Sequence, residues 1–269
     1  MSASLRVLGC FAALAASIAA TAAFAQSASS APAVSLKSVA PIRKGVDAWP
    51  LIANPSTPAE QRINAILTHL NNGMAASLKD CDASYRDSAK DSGVPLTGEN
   101  AVDKDWERSV KVTMTGPQFL SIVATDNYIF CGGAHPDRGK TAMVFDLTTG
   151  GPVNWMTLIA ESSDASPFSD SITDGTKVGA LIVPALRTMS IARADKDCKD
   201  VFEDSQSYQL WPDAKSGTLI AEPFDLPHVV AACAEDLSLS LDQARKLGFA
   251  DSLISAIDQA HRQYVQPKR

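Results

Sequence analysis

The stretch WERSVKVTMTGPQFLSIVATDNYIFCGGAHPDRGKTAMVFDLTTG, residues 106–150, decides the fold class. Its first part alternates polar residues with Val110, Val112 and Met114, which is typical of a half-buried β-strand. Strand-like runs lie on both sides of the glycine-rich segment CGGAHPDRGKT, and PVNWMTLI adds another after it. The pattern predicts a meander of antiparallel strands joined by tight turns.

Helical patterns flank these strands. Thr57-Pro58-Ala59-Glu60 is a capping box with proline at the first helical position. The helix that it opens has one apolar stripe with helical spacing: Ile63, Ile66, Leu67, Leu70, Met74 and Leu78. Residues 176–193 are also helical in period, and Pro184 is expected to kink or split that helix.

The C-terminal half continues with a hairpin formed by SYQLWP and GTLIAEPF, then a strand, DLSLSL, and a last amphipathic helix. The order of a helix followed by strands therefore occurs twice. We predict an α+β fold of two lobes, each with a helix packed on a mostly antiparallel sheet. The expected division is a signal peptide at 1–25, a tether or arm at 26–56, and lobes at 57–160 and 161–269.

The N-terminus predicts export. Arg6 precedes an alanine-rich apolar run that ends in Ala23-Phe24-Ala25, the pattern of a cleaved secretory signal peptide. A membrane anchor is the rival interpretation, and the small residues at the end of the run favour the signal. No later run approaches the ~20 apolar residues that a spanning helix needs. We expect a periplasmic or secreted protein with no membrane span after cleavage near Ala25.

The charge of the chain excludes one class of partner. The formal net charge is −6, and removal of residues 1–25, which contain one arginine and no acid, makes it −7. This charge disfavours nucleic acids as ligands, because their binding depends on neutralising phosphates with basic residues. The charge favours cationic partners.

Four cysteines remain after cleavage: Cys81, Cys131, Cys198 and Cys233. An even number in an oxidising compartment predicts two disulfides, and three pairings are possible. Cys81–Cys131 with Cys198–Cys233 is favoured, because each bridge then stays within one half of the chain. The sequence has no CxxC or HxxxH pair and its four histidines are scattered, so we predict no metal site.

The segment CGGAHPDRGKT has features of both a phosphate loop and a catalytic turn, and it matches neither in full. Gly139-Lys140-Thr141 matches the end of a P-loop, but Ala134 stands where the first glycine is required, and Pro136 lacks an amide. His135 beside Asp137 or Asp126 is a weak pattern for a general base. We therefore predict a structural turn, and neither a nucleotide nor any other cofactor.

The same residues carry a resemblance to a known family. Gly132-Gly133-Ala134-His135-Pro136, and then Phe145-Asp146-Leu147-Thr148-Thr149-Gly150 with Leu158, resemble an exported family of unknown function. That family is similar to the extracellular domain of RsiV-type lysozyme-sensing anti-sigma factors and to the accessory, non-catalytic domain of PdaC-type deacetylases. The match runs from the Thr57 helix to Leu158 and, more loosely, through residues 208–241.

The resemblance implies an α+β fold and a binding role at the cell envelope, and it implies no chemistry. The resulting hypothesis is a binding module for a cationic protein such as lysozyme, or for peptidoglycan fragments. The candidate contacts are His135, Asp137 and Arg138, whereas Gly132, Gly133, Ala134, Pro136, Asp146 and Gly150 are expected to be structural. The alternative is an envelope glycan hydrolase with a non-standard His/Asp site, using acids such as Asp103 and Asp105 or Asp195 and Asp197.

Overall fold

The computed structural model describes residues 33–97, 106–129, 136–172, 176–204, 207–224, 226, 230 and 233–266. The α-helices are α1 (Pro58–Ser92), α2 (Pro184–Arg193), α3 (Val201–Asp204), α4 (Leu241–Lys246) and α5 (Asp251–Val265). The strands are β1 (Leu36–Lys37), β2 (Leu51–Ile52), β3 (Trp106–Met114), β4 (Phe119–Ile129), β5 (Pro136–Asp146), β6 (Ser166–Ile172), β7 (Thr176–Ile182), β8 (Ser207–Asp213), β9 (Thr218–Phe224) and β10 (Leu237–Leu239). The fold is α+β, as the sequence predicts.

Helix α1 begins with the predicted capping box. The Thr57 hydroxyl accepts from the Glu60 amide at 3.1 Å, and the Glu60 carboxylate accepts from the Thr57 amide at 3.2 Å. A backbone hydrogen bond from Ser56 is the main reason that the pKa of Glu60 lies below its ordinary value. The predicted apolar stripe is confirmed, because five of its residues are buried: Ile63, Leu67, Leu70, Met74 and Leu78.

Strands β3, β4 and β5 form an antiparallel sheet, here called sheet 1, in that order. Its residues alternate between two faces because successive side chains of a strand point in opposite directions. One face packs against the apolar stripe of α1 in a buried cluster that includes Leu120, Ile122, Met143 and Phe145. This is the helix-on-sheet packing predicted for the first half of the chain.

The segment before α1 is held by two asparagines spaced seven residues apart on that helix. Asn64 accepts from the Ile52 amide at 2.7 Å and donates to the Ile52 carbonyl at 3.0 Å. Asn71 makes the same pair of bonds with Trp49, at 2.8 and 3.0 Å. Each amide side chain therefore makes the pair of hydrogen bonds that a neighbouring strand would otherwise make. The backbone groups of Trp49 and Ile52 thus keep their partners.

We expect Asn71→Ala to lower the free energy of unfolding by about 1–3 kcal/mol, because it leaves the backbone of Trp49 without its partner. Trp49 itself is 2% exposed, so water can replace the lost bonds only poorly. The matched control is Asn72→Ala, an exposed neighbour on the same helix with the same change in helix propensity. Urea unfolding of both variants checks the prediction, and equal midpoints would contradict it.

The second half of the chain forms sheet 2, in which the described strands stand in the antiparallel order β10-β9-β8-β7-β6. The predicted hairpin is confirmed as β8 and β9, with Trp211 paired to Ile220. The strand in DLSLSL and the last helix are confirmed as β10 and α5.

Two sequence-based expectations about local structure were wrong. Residues 176–193 are not one helix, since Thr176–Ile182 is strand β7 and the helix begins only at Pro184. The strand pairs with both β6 and β8, and this pairing outweighs the helical period. The expected strand PVNWMTLI instead contains a 3₁₀ turn at Trp155–Thr157, where the Asn154 side chain accepts from the Met156 amide at 3.1 Å.

A second buried cluster joins the two sheets and α5. Its members come from sheet 1, sheet 2 and the last helix: Phe119, Val123, Val144, Leu181, Leu210, Leu219, Leu253 and Ile257. The tyrosine Tyr208 of β8 also donates a hydrogen bond from its hydroxyl to the Ser190 hydroxyl of α2 at 2.9 Å. In the described part of the chain, no helix combines the length and apolarity that a bilayer span requires.

Candidate functional site

The glycine-rich segment of the sequence leads directly into strand β5. Backbone pairing of β4 with β5 extends to Ile129 opposite Pro136, so Asp137 and Arg138 lie in the strand and not in a loop. Arg138 is exposed, as a contact residue must be. The other motif residues lie outside the described residues: Cys131, Gly132, Gly133, Ala134 and His135. The binding role of His135, Asp137 and Arg138 stays a prediction.

Asp146 and Gly150 form a tight turn at the other end of β5. One Asp146 carboxylate oxygen accepts from the Thr148 amide at 2.6 Å and from the Thr149 amide at 3.0 Å. Gly150 has φ +72°, which favours glycine, and its amide donates to the Asp146 carbonyl at 2.8 Å. Arg62 of α1 donates to the Thr149 carbonyl at 2.7 Å, so the turn is held against that helix.

Lys140 is the centre of a partly buried polar cluster between the two sheets. Its Nζ lies 2.9 Å from Glu222 Oε1 and 2.7 Å from Asp236 Oδ1, so one ammonium joins two carboxylates. The side chain of Lys140 is 17% exposed and that of Glu222 is 7% exposed. The Nζ also lies 5.8 Å from the centroid of the Trp211 ring, within the range of a cation–π contact.

The charges of this cluster depend on one another. Burial raises the pKa of Glu222 above its ordinary value, and the nearby Lys140 charge offsets this only in part. Burial alone would lower the pKa of Lys140, but the negative charge of Glu222 and the hydrogen bonds to both carboxylates raise it. Lys140 therefore stays charged, and its charge favours the ionised form of the buried glutamate.

Gln209 of β8 completes the cluster. Its Oε1 accepts from the Ala142 amide at 3.0 Å, and its Nε2 donates to the Lys140 carbonyl at 3.1 Å and to Glu222 Oε2 at 2.5 Å. The Gln209 side chain thus supplies hydrogen-bond partners to the backbone at the outer edge of β5, and it connects that strand to sheet 2. With both Glu222 oxygens occupied in this way, the cluster is suited to holding the two sheets together rather than to proton transfer.

The Cys198–Cys233 disulfide is confirmed, with a Cα–Cα distance of 5.5 Å. It connects the segment that follows α2 to the segment that precedes β10. Cys81 is also disulfide-bonded, and its predicted partner, Cys131, lies outside the described residues.

The segments joined by this disulfide carry the negative charge of the protein. Residues 193–204 and 225–242, here called the acidic rim, contain nine acidic residues and three basic ones, a net charge of −6. Residues 26–160 contain 13 acidic and 12 basic residues, so this part of the chain is nearly neutral. Among the described rim residues the exposed acids are Asp195, Asp197, Asp200, Glu235, Asp236 and Asp242.

A small pocket of about 80 Å³ opens within the acidic rim. It lies beside the disulfide and is lined by Ser190, Arg193, Asp195, Glu235 and Asp236, with Phe202 as an apolar wall. Because Asp236 also binds Lys140, the pocket is connected to the buried cluster. The arrangement can hold a cationic group, since it presents three carboxylates against one guanidinium.

The hydrolase alternative gains no geometric support. Asp103 and Asp105 lie outside the described residues, and Asp195 and Asp197 are both exposed, at the start of and within a 3₁₀ turn that ends at Cys198. Among the described residues, no group of three or more His, Cys, Asp or Glu side chains is arranged to hold a metal ion.

Sequence reasoning missed the Lys140 cluster although its residues gave a signal. Gln209 and Glu222 are polar residues within otherwise apolar strands, and they stand opposite each other in the hairpin of β8 and β9. A buried polar pair in such strands indicates a third partner, because buried polar groups need hydrogen bonds. The local sequence around the partner, Lys140, indicates only an incomplete phosphate loop.

Comparisons with known proteins complete this description. No family model and no curated protein matches the chain. The crystal structure of a DUF3298 family member from Bacteroides fragilis is similar with 11% identity and a TM-score of 0.47, over 78% of this chain and 87% of that one. A DUF3298 family protein from Pseudomonas aeruginosa is similar with 12% identity and a TM-score of 0.33, over 54% of this chain and 64% of that one.

Both neighbours are members of one family of unknown function. The resemblance to RsiV-type and PdaC-type proteins stays a prediction from the sequence.

Proposed function

We propose that this protein is an exported envelope module that binds a cationic protein, such as lysozyme, through the acidic rim. The observation that carries the proposal is the concentration of charge: two segments joined by one disulfide hold a net charge of −6. Such a surface raises the rate of encounter with a positively charged partner and fixes its orientation.

Two contacts hold the acidic rim in place. The Cys198–Cys233 disulfide fixes the two segments relative to each other, and Lys140 holds Asp236 at 2.7 Å. Side chains held in place before binding lose less conformational entropy when the partner arrives. The disulfide also supports export, because such bonds persist mainly in oxidising compartments.

The predicted contact Arg138 belongs to the strand that contains Lys140. It stands two residues before Lys140 in β5, and residues two apart on a strand share a face. The strand that bears the candidate contacts therefore reaches the rim through Lys140. Peptidoglycan fragments, the other ligand that the resemblance implies, fit the rim less well, because their carboxylates would be repelled by it.

We expect the triple variant Asp195→Asn, Asp197→Asn, Glu235→Gln to weaken lysozyme binding by about tenfold or more, because it removes three exposed charges from one surface. Biolayer interferometry with immobilised lysozyme and the oxidised mature protein measures this. The loss should be mostly in the association rate and should shrink at high salt.

The matched control is Asp80→Asn, Asp87→Asn, Asp91→Asn, which removes three exposed acids from α1 and changes the net charge equally. It should change the affinity by less than about threefold. Equal losses in the two variants would reduce the effect to net charge and contradict the rim as the binding surface. Failure of the unmodified protein to bind lysozyme contradicts the proposed partner.

A further inference from the structure

The Cys198–Cys233 disulfide stands at an accessible place in the acidic rim. Both cysteines line the small pocket, and Cys198 is the more exposed of the two, since Cys233 is 9% exposed. Cys81, which is also disulfide-bonded, is 3% exposed and belongs to the buried face of α1. A thiolate must reach a sulfur atom to cleave a disulfide, so a dissolved thiol attacks the rim bond first.

The bond joins two segments whose charges repel each other. Residues 193–204 carry five acids and three bases, a net charge of −2, and residues 225–242 carry four acids and no base, a net charge of −4. Among the described residues of these segments, no hydrogen bond or salt bridge runs from one segment to the other, so the disulfide alone joins them. The repulsion between like charges therefore favours separation once the bond is cleaved.

Each segment also has its own attachment to the rest of the fold. Phe202 is 3% exposed, and its carbonyl accepts from the Arg187 side chain at 2.9 Å. In the other segment, β10 pairs with β9, and Lys140 holds Asp236 at 2.7 Å. Cleavage of the disulfide is therefore expected to separate the two segments from each other while both stay attached to the folded protein.

We propose that the Cys198–Cys233 disulfide is a redox switch that opens the acidic rim when a thiol without negative charge reduces it. The thiolate of the reductant attacks Cys198 Sγ, forms a mixed disulfide and releases the Cys233 thiolate, which takes up a proton. A second reductant thiolate attacks the reductant's sulfur in the mixed disulfide and releases Cys198. Two reductant thiols are thereby oxidised to one disulfide, and the protein gains two thiols.

The charge of the pocket selects the reductant. Its described lining has three carboxylates, those of Asp195, Glu235 and Asp236, against the guanidinium of Arg193, a net charge of −2. This field repels a thiol that carries a carboxylate and attracts one that carries an ammonium group. The selectivity is electrostatic, so it weakens as the salt concentration rises.

The inference deepens the proposed function at the same surface, and it rests on that function only for the effect of the switch on lysozyme binding. Reduction of the bond and opening of the rim are measured without lysozyme. If the unmodified protein does not bind lysozyme, the proposed function fails, whereas the reduction and exchange experiments still decide whether the switch exists.

The first experiment compares cysteamine, which carries an ammonium group, with thioglycolate, which carries a carboxylate, at equal thiolate concentration. We expect cysteamine to reduce the rim bond about tenfold faster or more at low salt, and less than about threefold faster at about 1 M salt. Asp195→Asn with Glu235→Gln should remove most of this preference. The matched control, Asp80→Asn with Asp87→Asn, removes two exposed acids from α1 and should keep it.

The second experiment follows the cysteines and the rim. Alkylation with mass spectrometry should label Cys198 and Cys233 about tenfold faster or more than Cys81. Amide hydrogen exchange should then be faster in residues 193–204 and 233–242 of the reduced protein, with α1 unchanged. The double variant Cys198→Ser, Cys233→Ser should show the same faster exchange and should bind lysozyme about tenfold more weakly.

Three results would overturn the inference. The first is labelling of Cys81 at the same rate as Cys198 and Cys233, because the rim bond would then be no more reactive than a buried one. The second is an equal rate of reduction by the two thiols at low salt. The third is unchanged exchange in the rim of the reduced protein, because the disulfide would then control no rearrangement.

Discussion

Gly150→Ala is expected to lower the free energy of unfolding by about 2–5 kcal/mol, because it combines left-handed backbone strain with a steric clash. A Cβ at this position would lie 2.6 Å from Ala59 Cα and 2.8 Å from Ala59 C, and it would also contact the Ala59 carbonyl oxygen. These are backbone atoms at the start of α1, so no rotamer change can relieve the contact. The loss corresponds to a fall in Tm of about 5–15 °C.

The neighbouring glycine provides the control. A Cβ at Gly151 would meet nothing closer than the Thr149 hydroxyl at 3.8 Å, and its φ is not in the left-handed region. Gly151→Ala should therefore change Tm by less than about 2 °C. Thermal unfolding followed by circular dichroism compares the two, and a Gly150→Ala variant as stable as Gly151→Ala would show that the turn does not fix α1.

Lys140→Met is expected to destabilise the protein by about 3–5 kcal/mol, because it removes the cation that faces a buried carboxylate. Glu222 would keep its contact with Gln209 but lose its 2.9 Å contact with the ammonium. Adding Glu222→Gln to this variant should recover most of the loss, since no uncompensated charge then stays buried. Without such recovery, the effect would come from packing and the assigned role of Lys140 would be wrong.

The pH dependence of Lys140→Met tests the same assignment. Burial raises the pKa of Glu222 above 4.5, so the folded state binds its proton more tightly than the unfolded state and acidification favours folding in that range. Without Lys140 the pKa of Glu222 rises further, so the deficit relative to the unmodified protein should shrink as the pH falls toward 4.5. The raised pKa of Lys140 affects the pH dependence of stability only above pH 10.5, where Lys140 loses its proton and its contribution to stability disappears. A deficit that grows on acidification contradicts the account.

The elements that sequence predicted well are those with strong local signals. The capping box at Thr57 predicts the first residue of α1, and the apolar stripe predicts the buried face of that helix. The hairpin of β8 and β9 and the helix α5 are likewise recognisable from their own periods. Local propensity and tertiary packing agree in these segments, so either one predicts the structure.

The elements that sequence mispredicted depend on distant partners. Residues 176–182 have a helical period, yet they pair with β6 and β8 on both sides and become a strand. The Lys140 cluster draws residues from three separate parts of the chain, and no spacing in the sequence brings Lys140, Glu222 and Asp236 together. The sequence indicates the acidic rim only through the net charge of the chain, because the two segments of the rim are joined into one surface by the Cys198–Cys233 bond.

Amide hydrogen exchange of the mature, oxidised protein with and without lysozyme tests the central claim most directly, because it locates the bound surface without any mutation. The account predicts that lysozyme slows exchange in residues 193–204 and 233–242, and that α1 exchanges as in the free protein. Slower exchange on α1 with an unchanged rim, at a lysozyme concentration that saturates binding, would contradict the claim that the acidic rim is the binding surface.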